Sequence, residues 1–191
     1  MLATAQWLRN LGYQAVPSLN DTALAIPLAI QAGLGEYGRH GLVITPDFGP
    51  RVRFGKIFTD APLDHDAPVE FGVSAFCEVC RRCTDACPPK AIPDGEPSPV
   101  KLNRSTIGGV RKWSVDGEKC FSYWTQIVTD CMICMRVCPY NKDFSRWRHR
   151  VGRRLAATSL RTVMLRLNDR LGYGERLRPR AWWAGATRRR A

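Results

Sequence analysis

No apolar run in this chain approaches the roughly 18 residues that a membrane-spanning helix needs, which excludes such a helix within it. The chain opens without a charged-then-apolar segment, so nothing points to a secreted, disulfide-stapled framework. Histidine is scarce, with three copies in 191 residues, His40, His65 and His149. No recognition-helix pattern, aromatic stacking repeat or zinc-finger spacing supports a nucleic-acid reader. Acidic residues run short at one end: residues 142–191 hold 15 Lys+Arg and only 3 Asp+Glu, an excess equal to the whole net charge of +12. Residues 1–141 hold 14 of each and balance. A basic tail attracts nucleic acid or anionic lipid. Without a reading element, the expectation is instead an amphipathic helix packed on the body, with its arginines in solvent.

What the chain does contain is eight cysteines in one arrangement: Cys77, Cys80, Cys83 and Cys87-Pro88, then Cys120, Cys131, Cys134 and Cys138-Pro139. The first set reads C-x2-C-x2-C-x3-C-P, the run by which bacterial ferredoxins hold 4Fe-4S clusters. The second keeps the C-x2-C-x3-C-P ending but sets its first cysteine back, with ten residues between Cys120 and Cys131. None is left over. A cubane cluster takes one thiolate per iron, and in two-cluster ferredoxins the cysteine before proline serves the other cluster. The spacing therefore predicts Cys77, Cys80, Cys83 and Cys138 around cluster one, and Cys87, Cys120, Cys131 and Cys134 around cluster two. Zinc fits poorly, because structural zinc uses two C-x2-C pairs per ion. Disulfides fit worse, since neighbouring C-x2-C thiols make poor long-range staples.

The length suits one domain or two small ones, and 45% apolar residues can support a core. Three regions are predicted, 1–72, 73–141 and 142–191. In the first, a helix from Ala3 to Leu11 ends at Gly12, and Asn20 and Asp21 cap a second from about Thr22 to Ala32 despite Pro27. Two strand-like runs follow, Gly41–Thr45 and Arg51–Thr59, joined by a Pro/Gly/Asp turn. This is α/β material too small for an independent core, and it reads as half of something. In the second region, helical turns are predicted to follow Cys87 and Cys138. Residues from Pro93 to Lys119 form an irregular insertion with one short strand near Trp113. In the third, Leu155, Leu160, Val163, Leu165 and Leu167 mark the apolar face of a helix.

The stretch LAIPLAIQAGLGEYGRHGLVITPDFGPRVRFGKIFTDAPL (residues 24–63), leading into FCEVCRRCTDACPPKAI, resembles the C-terminal half of the corrinoid-dependent reductive dehalogenases. LGYGERLRPRAWW (residues 171–183) is similar to their closing aromatic segment. The resemblance runs from about Leu11 through the second cysteine set and resumes in the tail. It implies an α+β chain: the C-terminal part of a nitroreductase-like α/β corrinoid domain, a ferredoxin-like module for two 4Fe-4S clusters, and a basic helical tail. It also implies a base-off cobalamin, fed one electron at a time, that replaces halide by hydrogen: R–X + 2 e⁻ + H⁺ → R–H + X⁻. The chain has no D-x-H-x-x-G sequence by which other corrinoid proteins present a histidine to cobalt. Its three histidines are expected on the surface or in loops.

Family members use a tyrosine as proton donor beside a basic residue, since a cation next to a phenol favours the phenolate. Arg53 of FGPRVR matches that basic residue, with Arg51 second, and Asn20 is placed as a hydrogen-bonding residue of the same pocket. The donor tyrosine falls upstream of Met1; Tyr13 and Tyr37 are no match for it. The family's catalytic subunits are much longer, so the resemblance implies a truncated or partial chain that keeps the cluster module and one wall of the corrin pocket. Implied partners are an organohalide (a chlorinated alkene, halogenated phenol or brominated aromatic) and an electron donor such as a ferredoxin, a flavoprotein or a membrane quinol system. No nucleic-acid partner is expected. Cluster assembly favours the cytoplasm, with later export to a membrane face where a twin-arginine signal precedes this segment. Two other readings share features of the chain: a two-cluster ferredoxin-type electron carrier, and the epoxyqueuosine reductases, which join a corrinoid domain to such clusters and act on tRNA.

Overall fold

A computed structural model describes residues 1–19 and 22–175. Helix α1 spans Leu2–Asn10, and its buried Ala5 and Leu8 pack with Ala15 into a small core flanked by Ile57 and Ala61. Strand β1 (Ala15–Ser18) pairs antiparallel with β4 (Lys56–Thr59), in the register Ala15↔Thr59 to Ser18↔Lys56. Between them lie helix α2 (Ala25–Gln31) and a two-residue-per-side hairpin of β2 (Glu36–Tyr37) and β3 (Val43–Ile44). The two strand-like runs of the sequence therefore do not pair with each other. The first joins β2; the second is strand only from Lys56 and joins β1, which the Pro17 in its middle had hidden.

Helix α2 starts later than the sequence suggests. Leu24 is its N-cap and no side chain caps it; Asn20 and Asp21 lie outside the described residues. Pro27 is tolerated because it sits in the first turn, where backbone N–H groups have no intrahelical acceptor to lose.

The cysteine region is built from short helices that sit within the motifs instead of after them. Helix α3 (Val73–Val79) ends at Cys80, and α4 (Arg82–Ala86) ends at Cys87. Cys87 is extended (φ −69°, ψ 114°), as a residue before proline must be, so the helix stops there and only a turn follows. The second motif repeats the device: α6 (Ile133–Arg136) lies between Cys131 and Cys138 and packs on α4. The insertion from Pro93 is irregular, with a β-bridge between Ser98 and Lys112, and it gives way to a longer helix, α5 (Gly117–Ile127), capped by Asp116.

The basic region forms two helices, α7 (Trp147–Ala156) and α8 (Arg161–Arg170), packed on each other. Ala156 is buried and Leu165 packs against the main core, whereas Leu160, Val163 and Leu167 are exposed, so the expected apolar face is only partly used. The arginines do more than face solvent. Arg153 donates to the Pro46 carbonyl, Arg161 to that of Ala75 at 3.1 Å, and Arg82 pairs with Asp169. The main core gathers Ile44, Val73, Phe76, Trp113, Tyr140 and Phe144 with Cys77 and Cys80. Hairpin, first cysteine helix and tail thus share one interior. None of the described helices is long and apolar enough to cross a membrane.

Candidate iron–sulfur centre

All eight cysteines are free thiols. Cys77, Cys80, Cys83 and Cys87 are buried, and Cys120, Cys131, Cys134 and Cys138 are partly so. Their mutual electrostatics sort them. Cys138 feels Cys77, Cys80 and Cys83; Cys134 feels Cys131, Cys120 and Cys87; Cys120 feels Cys87 and Cys131. Each cysteine before a proline therefore stands with the other motif's trio. Across the two groups, Cys83 feels Cys134. Among the described residues no three His, Cys, Asp or Glu side chains converge as a single ion would need. Two groups of four thiols match the four thiolates that each cubane cluster takes.

Burial dominates the chemistry of these thiols. It pushes Cys77 and Cys83 up to about 12 and Cys134 up to about 11, with Cys138 also raised. A thiol this reluctant to ionise is inert until a metal centre displaces its proton. Backbone amides oppose the trend and aim at sulfur: the N–H groups of Arg39, Arg82, Met135 and Tyr140 face Cys77, Cys80, Cys134 and Cys138. The Cys87 Sγ accepts from the Ala91 N–H at 3.3 Å. Such donors favour the anionic, iron-bound form of the sulfur.

The surroundings tie the first region to this centre. Glu36 on β2 accepts from the backbone N–H groups of Phe71, of Val73 at 3.2 Å and of Ser74 at 3.4 Å. It caps α3 from a distance, because the helix's own N-cap, Gly72, has no side chain to offer. The Tyr37 hydroxyl donates to the Trp113 carbonyl at 3.0 Å, and burial pushes that phenol up to about 12, so Tyr37 is scaffold. The Tyr140 hydroxyl is buried with no hydrogen-bond partner among the described residues, edge-on to Phe76 and within electrostatic reach of Cys77, Cys138 and Cys80. Two groups here escaped sequence reasoning, Arg39 and Tyr140. The only available signals were an arginine inside the Gly-rich loop EYGRHG and an aromatic right after Cys138-Pro139.

The residues matched to the corrin pocket are not brought together with the cysteines. Arg53 lies exposed in the irregular stretch before β4, with no hydrogen bond or ion pair among the described residues. Arg51 is exposed as well, but its guanidinium donates to the Lys142 carbonyl at 2.6 Å. Asn20 lies outside the described residues, as does most of the closing aromatic segment. Tyr13 is exposed. Of the histidines, His65 is exposed and His149 bonds Asp143 and Tyr173. His40 is in a loop as expected but not at the surface: it is buried, and Leu42 N–H donates to its Nδ1 at 3.2 Å.

Fold and thiols together define a two-cluster iron–sulfur module, and a family profile described as a 4Fe-4S double cluster binding domain matches residues 76–141. Over 153 residues the chain is 46% identical to a tetrachloroethene reductive dehalogenase of Desulfitobacterium hafniense, covering 78% of this chain and 28% of that protein. Over 182 residues it is 38% identical to that of Sulfurospirillum multivorans, covering 94% and 36%. A solved reductive dehalogenase, described as suggesting a mechanism for B12-dependent dehalogenation, superposes at a TM-score of 0.77 and 31% identity, over 91% of this chain and 25% of that one. The epoxyqueuosine reductase of Streptococcus thermophilus superposes less well, with a TM-score of 0.55 and 25% identity over 73% of this chain and 37% of that one. The chain is a relative of the reductive dehalogenases, and it spans about a quarter to a third of the length of these dehalogenases.

Proposed function

We propose that this chain is the electron-delivering part of a corrinoid-dependent reductive dehalogenase, with Cys77, Cys80, Cys83 and Cys138 holding one 4Fe-4S cluster and Cys87, Cys120, Cys131 and Cys134 the other. The observation that carries this reading is the sorting of eight thiols into two groups of four, each completed by the other motif's Cys-Pro cysteine. When bound, the clusters supply one-electron transfer, and cobalamin in the full-length enzyme supplies reductive cleavage of a carbon–halogen bond.

This chain's residues have their own tasks. The buried thiols give up protons on loading, the five backbone amides steady the sulfurs, and the shared core keeps water from the first cluster. Residues 1–72 form one wall of a nitroreductase-like corrin pocket, residues 73–141 the cluster module, and residues 142–191 a basic extension bracing it. Arg53 is the basic residue that faces the proton donor, and Asn20 hydrogen-bonds in the same pocket. The exposure of Arg53, with no partner among the described residues, supports this, since its charge stays open to a neighbour. The substrate is an organohalide, and a separate low-potential donor supplies the electrons.

The test is direct. Reconstituted under argon, the chain should hold about eight iron and eight sulfide. The N-terminally completed protein should also shift the corrin absorption spectrum and release halide from an organohalide. A colourless preparation without sulfide removes the reading. Clusters without any corrin response in the completed protein leave only an electron carrier.

A further inference from the structure

Arg39 is 2% exposed, the only charged side chain buried this deeply among the described residues. Its Nε donates to the Cys77 carbonyl at 3.0 Å, and Nη1 to the carbonyls of Pro93 at 3.0 Å, Asp94 at 3.1 Å and Gly95 at 3.0 Å. The guanidinium lies 4.7 Å from the centroid of the Trp113 ring. No acceptor among these is a carboxylate. Asp94, whose carbonyl it binds, gives its carboxylate to Arg81 instead. A cation taken out of water at this depth costs several kcal/mol unless negative charge answers it. Carbonyl dipoles and an aromatic face answer only part of it.

The ionisable groups the guanidinium acts on are thiols of a single group, which the carboxylates of Glu36 and Asp85 also reach, on Cys77 and Cys80. The guanidinium acts on Cys77, Cys80 and Cys83. Two further cations lean the same way, Arg82 acting on Cys80 and Lys142 interacting with Cys138. On Cys120 and Cys134 the leading charges are other thiols, Cys87 and Cys131 on the first and Cys131, Cys120 and Cys87 on the second. Four thiolates around a cubane leave the site net negative, and each added electron makes it more so. Burial alone would make that electron harder to add, while a fixed buried cation makes it easier.

We infer that Arg39 is a positioning residue that raises the reduction potential of the Cys77/Cys80/Cys83/Cys138 cluster, its guanidinium serving as the counter-charge of the reduced state. The step concerned is one electron entering this cluster from a low-potential donor, with no proton or bond change. The inference rests on the ligand set proposed above, and the experiment separates the two.

The full chain and its Arg39→Met and Arg39→Lys variants are reconstituted anaerobically, assayed for iron and sulfide, and titrated with dithionite while the reduced clusters are followed by electron paramagnetic resonance. In Arg39→Met with full iron, one of the two potentials should fall, changing that cluster's reduction equilibrium at least ~10-fold, or about 59 mV for a one-electron couple. The other potential should stay. Arg39→Lys, which keeps the charge but loses the fork, should remain near the parent. Full loading of Arg39→Met with both potentials unmoved overturns the inference. If Arg39→Met loads only half its iron, Arg39→Lys decides. Full loading at the parent potential supports the charge, while cluster loss or a shift as large as tenfold makes Arg39 a loop strut and overturns it. Failure of the parent chain to take up iron removes the ligand set itself.

Discussion

An imidazole enclosed as His40 is must stay neutral, and that makes the fold answerable to acid. Burial lowers its pKa from 6.5 to about 4, its Nδ1 accepts from Leu42, and its Nε2 has no partner among the described residues. The unfolded chain takes up a proton near 6.5, whereas the folded chain resists until about 4. The stabilisation is therefore complete above 6.5 and is lost as the pH falls toward 4. Urea midpoints of the parent should drop across that window, and those of His40→Asn, which keeps an acceptor for Leu42, should drop less. Tyr140 poses the opposite case. Its hydroxyl is buried with no partner among the described residues, so Tyr140→Phe should leave the cluster-free chain as stable or more stable in the same titration. At this scale the cysteines were legible, because ligand chemistry fixes both residue type and spacing. His40 was not, since burial of a loop residue depends on what packs over it from residues far away in sequence.

Among the elements, the turn after β3 links a quoted motif to the cysteines. Thr45 and Gly49 exchange backbone hydrogen bonds at 2.9 and 3.0 Å, and Gly49 sits at φ +58°. A Cβ there would stand 2.0 Å from the Tyr140 carbonyl, two residues past Cys138. Gly49→Ala should therefore cost more than about 2 kcal/mol in chemical unfolding, from left-handed strain plus a backbone clash that no rotamer relieves. It should also weaken iron retention, unlike Gly12→Ala, whose position is equally left-handed but open. Helix α1 was readable from its composition and its glycine stop. The helices at the cysteines were misplaced because the Cys-Pro pair ends a helix, and the sequence reading took it for a start. The strand pairing was misjudged because two adjacent runs suggest a hairpin, whereas β4 finds its partner some forty residues upstream, across α2 and the β2–β3 hairpin.

For the molecule as a whole, the crossed thiol groups make the two motifs mutually dependent. Cys87→Ala and Cys120→Ala should each retain about half the iron and leave the same paramagnetic signal. A Cys87→Ala signal matching that of Cys80→Ala would sink the crossed pairing. The first region also bares Trp7, Val16, Leu19 and Phe58, with small cores behind them. Two short helices and two strands are too little to enclose an interior of their own. What composition could not disclose is how firmly this region grips the rest. The carboxylate of Glu36 holds the opening amides of the helix that carries Cys77. An excision at residue 73 would leave that helix start bare, so the smallest portable electron relay begins upstream of the hairpin, and a graft of the cysteine segment alone would arrive without its clasp.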